Sequence, residues 1–293
     1  MTIHRAITVA ATALLLLALG VAGCSRKGKD SPSVLQIKGS DTMVNLTQAW
    51  AEEYMKRNPG TSIAVTGGGS GTGISSLISN TCDIAQVSRE MKNAEIQLAR
   101  GKGIEPKKIV VALDGLAVIV HPSNPVTSLT LDQLADIYTG KVTSWAQLGG
   151  KDEKIVLLSR EVNSGTHVYF KEHVLQHGDA TNKAEFTPQA LLLPSSQAIA
   201  DEAAQNTSAI GYYGMGYISP KVKVVHVAKS ATEPAVAPTI ESVQNGAYPI
   251  SRPLIMYTKG EPTGIAKAFL DFVESKEGQD VVRRLDFVPV LAR

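Results

Sequence analysis

Cysteine is almost absent from this chain. Only Cys24 and Cys82 occur in 293 residues, so no disulfide framework can organise the fold. Neither sign of charge is in excess: 29 Lys and Arg face 27 Asp and Glu, a formal net of +2. That balance makes no electrostatic case for nucleic acid or for a polybasic membrane patch. Beyond the N-terminus, no segment approaches the ~20 apolar residues that a membrane-spanning helix needs. Metal ligands are scarce too. His173 and His177 are four apart on one expected helix face, and His167 lies further back, but no Glu or Cys completes the set. They read as solvated surface histidines, with no metal and no cofactor. The glycine-rich run Gly67 to Gly73 lacks the Lys-Ser or Lys-Thr of a nucleotide P-loop. Gly68-Gly69-Ser70-Gly71-Thr72 is one residue out of register with a Gly-x-Ser-x-Gly elbow.

What is present begins with the leader. Residues 1–23 carry Arg5, then an uncharged stretch from Ala6 to Leu19, then the small residues Gly20-Val21-Ala22-Gly23 before Cys24. This is the layout of a secretory signal. The small residues ending at a Cys resemble a bacterial lipobox. In that family the signal is removed and the Cys is diacylated, which would make Cys24 the lipid-carrying N-terminus. Two acyl chains anchor stably where one does not. Residues 24–33 are small and charged, a flexible tether. The expectation is an exported chain, lipid-anchored at the periplasmic or outer cell surface and otherwise soluble. Cys82, next to the apolar Ile84-Ala85, reads as a buried structural thiol.

The remainder alternates strands and helices. Val34–Lys38 reads as a strand, and Met43, Leu46, Trp50, Tyr54 and Met55 follow at helical spacing until Asn58-Pro59-Gly60. Thr61–Thr66, Asp83–Val87, Ile109–Leu113 and Leu116–Val120 read as strands. Later strands are expected at Ile155–Leu158, Ala209–Tyr213, Val222–Val227 and Pro253–Tyr257. Helices are expected near Thr130–Tyr138, Ser164–Gln176, Gln197–Asn206, Thr263–Glu274 and Glu277–Arg284. Such alternation argues for parallel, doubly wound α/β sheets.

Three strand-to-helix junctions share one chemical character. They are Gly39-Ser40-Asp41-Thr42-Met43, the run Gly67 to Gly73, and Arg160-Glu161-Val162-Asn163-Ser164-Gly165-Thr166. Each places hydroxyls and free backbone N–H groups where a helix begins, and helix starts attract anions. Glycine permits close backbone approach. Arg160 adds full charge and a planar donor fork suited to a tetrahedral oxyanion. One such junction is usually only a cap or a turn. Three together point to anion binding.

Together these segments, with Asp83 to Glu90 and Ala209-Ile210-Gly211-Tyr212, resemble the periplasmic phosphate-binding protein of bacterial phosphate ABC transporters, in its compact lipoprotein form. The resemblance covers nearly all of the chain after the leader. It implies a two-lobed α/β clamp with two hinge crossings: lobe I from 34–116 and 222–293, lobe II from 117–221. It implies that Ser40, Thr42, the Met43 backbone and Ser70 contact phosphate from one lobe, and Arg160, Ser164, Gly165 and Thr166 from the other. Known members place an Asp, which accepts from protonated phosphate and repels sulfate, where this chain has Ser88. Ser88 can accept but cannot repel. Arg89 would then add charge, and an inward Asp41 would serve as acceptor. The implied function is non-enzymatic: a monomer captures inorganic phosphate and delivers it to a membrane permease. Alternatives are a receptor for sulfate or molybdate, an exported phosphatase using Ser70 or Ser164, or an added sensing or adhesion role.

Overall fold

The computed structural model describes residues 34–290. Cys24, the leader and the tether lie outside the described residues. Strand β1 (Val34–Gly39) buries Leu35 and Ile37 and pairs in parallel with β2 (Ser62–Thr66) and β3 (Ile84–Val87). Helix α1 (Val44–Arg57) buries Leu46, Trp50 and Tyr54, which recur every fourth residue on one face. The Trp50 indole N–H donates to Gly278 O at 2.7 Å and ties this helix to the C-terminal segment. The chain leaves α1 through Asn58, whose side-chain amide caps Tyr54 O, ahead of Pro59-Gly60. Helix α2 (Ser70–Ile78) rides directly on β1. Gly73 makes that possible: a Cβ there would lie 2.6 Å from Lys38 O and 2.7 Å from Gly39 Cα. Helix α3 is Asn93–Gly101.

Strand β4 (Pro106–Val120) organises the rest. The sequence pattern suggested two short strands broken at Asp114-Gly115; the structure carries one strand of 15 residues straight through. Residues 106–115 pair with β10 (Ser251–Lys259), which also pairs with β3. Residues 116–120 pair with β8 (Ala209–Gly214). At the change of partner both backbone groups of Leu116 are satisfied, as burial demands. Leu116 N donates to Ile250 O, and Leu116 O accepts from the Tyr248 hydroxyl at 2.6 Å. Gly115 fits because a Cβ would meet Val243 at 2.8 Å.

Beyond the crossing, β8 pairs in parallel with β6 (Val156–Arg160), and β6 with β7 (Leu191–Leu193). Strand β9 (Lys223–Ala228) pairs with Val118–Val120 of β4 and with the short β5 (Ser128–Thr130). The segment after residue 222 thus hydrogen-bonds to β4's far end, on the edge opposite β8. Helix α4 (Leu131–Tyr138) starts at Thr130, which forms a capping box with Gln133. The helix expected over Ser164–Gln176 is α5 (Gly165–Phe170) followed by a π turn, Lys171–Leu175. Helices α6 (Ser196–Gln205), α7 (Ile240–Gln244), α8 (Gly264–Glu274) and α9 (Lys276–Arg284) complete the cover. The sheet is mixed rather than all parallel, since β10 runs antiparallel to β3 and β4.

Cys82 is buried as expected, and desolvation pushes its thiol up to about 11. No described helix is long and apolar enough to cross a membrane.

The Gly73 contact carries a direct test. Gly73→Ala forces a methyl into the β1 backbone, and an overpacked core typically costs about 1–3 kcal/mol. Urea unfolding is expected to show a loss of that size, whereas Gly101→Ala, with nothing within 4 Å of its would-be Cβ, is expected to show none.

Candidate anion-binding site

Four strands, β1, β2, β6 and β7, deliver the chain from their carboxyl ends into helix starts. Ligands of open α/β sheets bind outside the carboxyl ends of strands, and here the hydroxyls of three of these junctions meet. Ser40 does not cap its own helix; its hydroxyl donates to Ser88 Oγ at 2.9 Å. Ser70 Oγ lies 3.3 Å from Ser88 Oγ and accepts from Ser88 N at 3.0 Å. Thr42 Oγ1 and Thr166 Oγ1 lie 2.9 Å apart although 124 residues separate them. Gly165 closes the cluster: a Cβ there would stand 2.3 Å from Ser70 Oγ and 2.7 Å from Ser88 Oγ. Ser164 caps α5 by accepting from Thr166 N. All of these hydroxyls are buried. The same approach is made in the main chain, where Gly71 N donates to Asn163 O at 3.0 Å and Asn163 Nδ2 to Gly68 O at 2.9 Å.

Two buried arginines flank the cluster, each with its own carboxylate. Arg160 Nη1 donates to Asp41 Oδ2 at 3.0 Å and to Ser196 Oγ, while Nε and Nη2 donate to Leu193 O and Pro194 O. Asp41 Oδ2 also accepts from Ser196 N and Oγ. Arg252 stands opposite Asp114 in the β4–β10 ladder. Its Nε and Nη2 both donate to Asp114 Oδ2, at 3.0 and 2.8 Å. Nη1 donates to Ser88 O, and Nη2 reaches Thr166 Oγ1 at 3.0 Å and Thr42 Oγ1 at 3.3 Å. Burial pushes the Asp114 carboxyl up and the Arg252 guanidinium down, and each charge opposes the shift of the other.

A model of the PBP superfamily domain matches residues 27–277. The phosphate-binding protein PstS of Pseudomonas aeruginosa is 33% identical, over 96% of this chain and 94% of its own. PstS of Bacillus subtilis is 34% identical, over 96% of this chain and 92% of its own. The chain belongs to the PstS family of phosphate-binding proteins. A solved structure from Clostridium perfringens, described as a phosphate ABC transporter substrate-binding protein with bound phosphate, superposes with a TM-score of 0.79 at 36% identity. It covers 88% of this chain and 100% of that one. An ABC-type phosphate transport receptor from Vibrio cholerae matches at 30% identity and a TM-score of 0.70, over 87% and 100%. The fold is accordingly the two-lobed periplasmic-binding-protein fold.

Within this PstS-family fold the structure brings together Ser40, Thr42, Ser70, Ser88, Gly165 and Thr166, with Met43 and Ser164 beside them at their helix starts. It places two residues elsewhere. Arg89 does not face the hydroxyls; its guanidinium forms a two-pronged pair with Glu95 at 2.7 and 2.8 Å and donates to Glu90 O. The acid six residues on satisfies it locally. Asp41 turns toward Arg160 and Ser196, not toward the cluster, because that pair buries its charge with three donors. Sequence reasoning missed Arg252, Asp114 and Ser196. The available signal for Arg252 and Asp114 was a charge beside the apolar stretch of each of two strands, away from the lysines at the strands' other ends, and opposite charges buried in a sheet must pair.

The histidines divide. His173 stacks on Tyr169, with 3.7 Å between ring centroids, and is exposed. His177 is likewise on the surface, within 3.7 Å of Asp132. His167, expected to be solvated, is instead buried, stacked on Phe186 and in contact with Ser159 Oγ at 3.2 Å. It follows Thr166 into the helix interior, where Tyr212 and Phe186 form an aromatic layer. No group of metal-ligating side chains occurs among the described residues.

Burial lowers the His167 pKa from 6.5 to about 4. Between those values the unfolded chain binds a proton that the folded chain does not. Stability is therefore full above about pH 6.5 and falls as the pH drops toward 4, with a limiting slope near 1.4 kcal/mol per pH unit. His167→Gln is expected to flatten that slope in urea titrations across this range. An unchanged slope would contradict it.

Proposed function

We propose that this protein captures inorganic phosphate outside the cytoplasmic membrane and hands it to an ABC-transporter permease, with no covalent chemistry. The observation that carries the reading is the convergence of buried hydroxyls from Ser40, Thr42, Ser70, Ser88 and Thr166 on one point between helix starts. Family membership supports it, since the relatives are named as phosphate-binding and phosphate-transport proteins. Thr42, Met43 N and Ser70 would hold the anion from one side, and Ser164, Gly165 N and Thr166 from the other. Ser88, central among the hydroxyls, would accept from a protonated phosphate oxygen. Arg160 Nη2 has a second hydrogen beyond its bond to Pro194 O and would donate it to the anion.

The lobes of this clamp are proposed to divide where β4 changes partner, between residues 115 and 116, and again after β9, so that 223–228 joins the second lobe. Binding groups from both sides of one anion favour approach of the lobes. The leader and Cys24 are read as an export signal and a lipid anchor, and the protein as a monomer.

Phosphate has about five heavy atoms, and a ceiling near −1.5 kcal/mol per atom gives roughly −7.5 kcal/mol, or about micromolar affinity. Calorimetric titration of the purified protein, stripped of bound anion, is expected to show saturable phosphate binding on that scale and no sulfate heat. Equal binding of sulfate would assign the site to tetrahedral oxyanions in general; silence toward both would remove the reading. Arg160→Ala is expected to weaken phosphate binding by about 2–4 kcal/mol, and Thr166→Ala by about 1–3 kcal/mol. Wild-type affinity in Arg160→Ala would take that residue out of the site.

A further inference from the structure

Arg252 touches the candidate site from beneath. It belongs to a strand rather than a helix start, and it lies on β10 beside the point where β4 changes partner. Its side chain and that of Asp114 are both 0% exposed. Asp114 is itself fixed from a third direction, since its Oδ1 accepts from Met215 N at 3.0 Å. The guanidinium is therefore held rigidly, with Nη2 directed at Thr166 Oγ1 and Thr42 Oγ1.

The chemistry of that contact has one sign. A guanidinium N–H donates and never accepts, whereas a threonine hydroxyl has one hydrogen and two lone pairs. Nη2 gives one hydrogen to Asp114 Oδ2 and shares the other between the two threonine oxygens, so both hydroxyls must act as donors elsewhere: one donates to the other across 2.9 Å, and the second keeps a free hydrogen. Without that constraint, either hydroxyl could turn its lone pairs toward an incoming anion. The placement also has a charge consequence. Arg252 is neutralised by Asp114, as Arg160 is by Asp41, so neither arginine brings a bare cation. What Arg252 brings is direction.

We propose that Arg252, anchored by Asp114, is a positioning residue of the anion site: it orients the Thr42–Thr166 hydroxyl pair so that the pair's free hydrogen is donated toward bound phosphate. This rests on the reading that the hydroxyl cluster holds phosphate. The role differs from simple support of the strand crossing, because it acts through two named hydroxyls.

The test is a double-mutant cycle read by phosphate titration. Arg252→Lys keeps the charge beside Asp114 but loses the planar fork. It is expected to weaken phosphate binding on the order of 10- to 100-fold, the range for a hydrogen bond to a charged group. Thr166→Val is expected to weaken it on the order of 10-fold. The double variant is expected to lose little more than the larger single loss, since the two changes remove one shared effect. Ser164→Ala has no contact with Arg252, and its loss is expected to multiply with that of Arg252→Lys. Multiplicative losses with Thr166→Val as well, or wild-type affinity in Arg252→Lys, would overturn the proposal. Should Arg252→Lys fail to fold, Asp114→Asn replaces it in the same cycle; it keeps the shape, weakens the anchor and is judged by the same coupling. Failure of the wild-type protein to bind phosphate would be a separate outcome: it would overturn the site reading on which this proposal stands.

Discussion

The structure depends on one strand having two sets of neighbours. β4 is a member of one sheet region as far as Gly115 and of another from Leu116 onward. A strand can do this only if the backbone groups at the exchange are satisfied and nothing bulky intrudes. The Tyr248 hydroxyl, Ile250 O and the bare Cα of Gly115 meet those conditions. Asp114 sits one residue before the exchange and draws in Arg252 from β10 and Met215 N from the end of β8. The charged pair is thus the knot at which three strands are tied. A buried ion pair is a weak source of net stability, because desolvation offsets most of the attraction. Its better-supported use is to fix register, and here the register it fixes decides where Thr42 and Thr166 meet.

The electrostatics of the site follow a pattern of local neutrality. Each buried arginine is matched by an aspartate, and each aspartate by further donors. An anion entering such a place is received by oriented dipoles and hydroxyls rather than by surplus positive charge. Oriented donors in a water-poor site interact strongly and need little rearrangement. This fits a chain whose overall charge is close to zero: nothing in its composition attracts anions at long range, and recognition is left to short-range geometry.

Much of this was legible in the sequence, and what was not has a common cause. The helix starts at Ser40, Ser70 and Ser164 were visible because glycine, hydroxyl and helix onset lie within a few residues of one another. The buried face of α1 was visible from the helical spacing of Leu46, Trp50 and Tyr54. Arg252 and Asp114 are 138 residues apart, and no local pattern links them; only the placement of β10 beside β4 does. Arg89 illustrates the opposite case. Its position next to Ser88 suggested a site role, yet Glu95 lies close along the chain and takes both of its prongs. The single strand through Asp114-Gly115 was hidden because that dipeptide ordinarily signals a turn. A partner for the acid, supplied from far away, overrides the signal. His167 was misjudged because its burial depends on Phe186, which reaches it from a separate loop.

The glycine-rich turn has a further consequence. It was first notable as a cradle, yet its closest neighbour is Asn163: Gly71 N donates to Asn163 O, and a Cβ on Gly69 would lie 2.8 Å from that same oxygen. The bond joins two main chains and so does not depend on which side chains either residue carries. The fastening tolerates changes of side chain at Gly71's partner, but position 69 must stay glycine. Peptide groups make this fastening, whereas hydroxyl side chains form the cluster beside it.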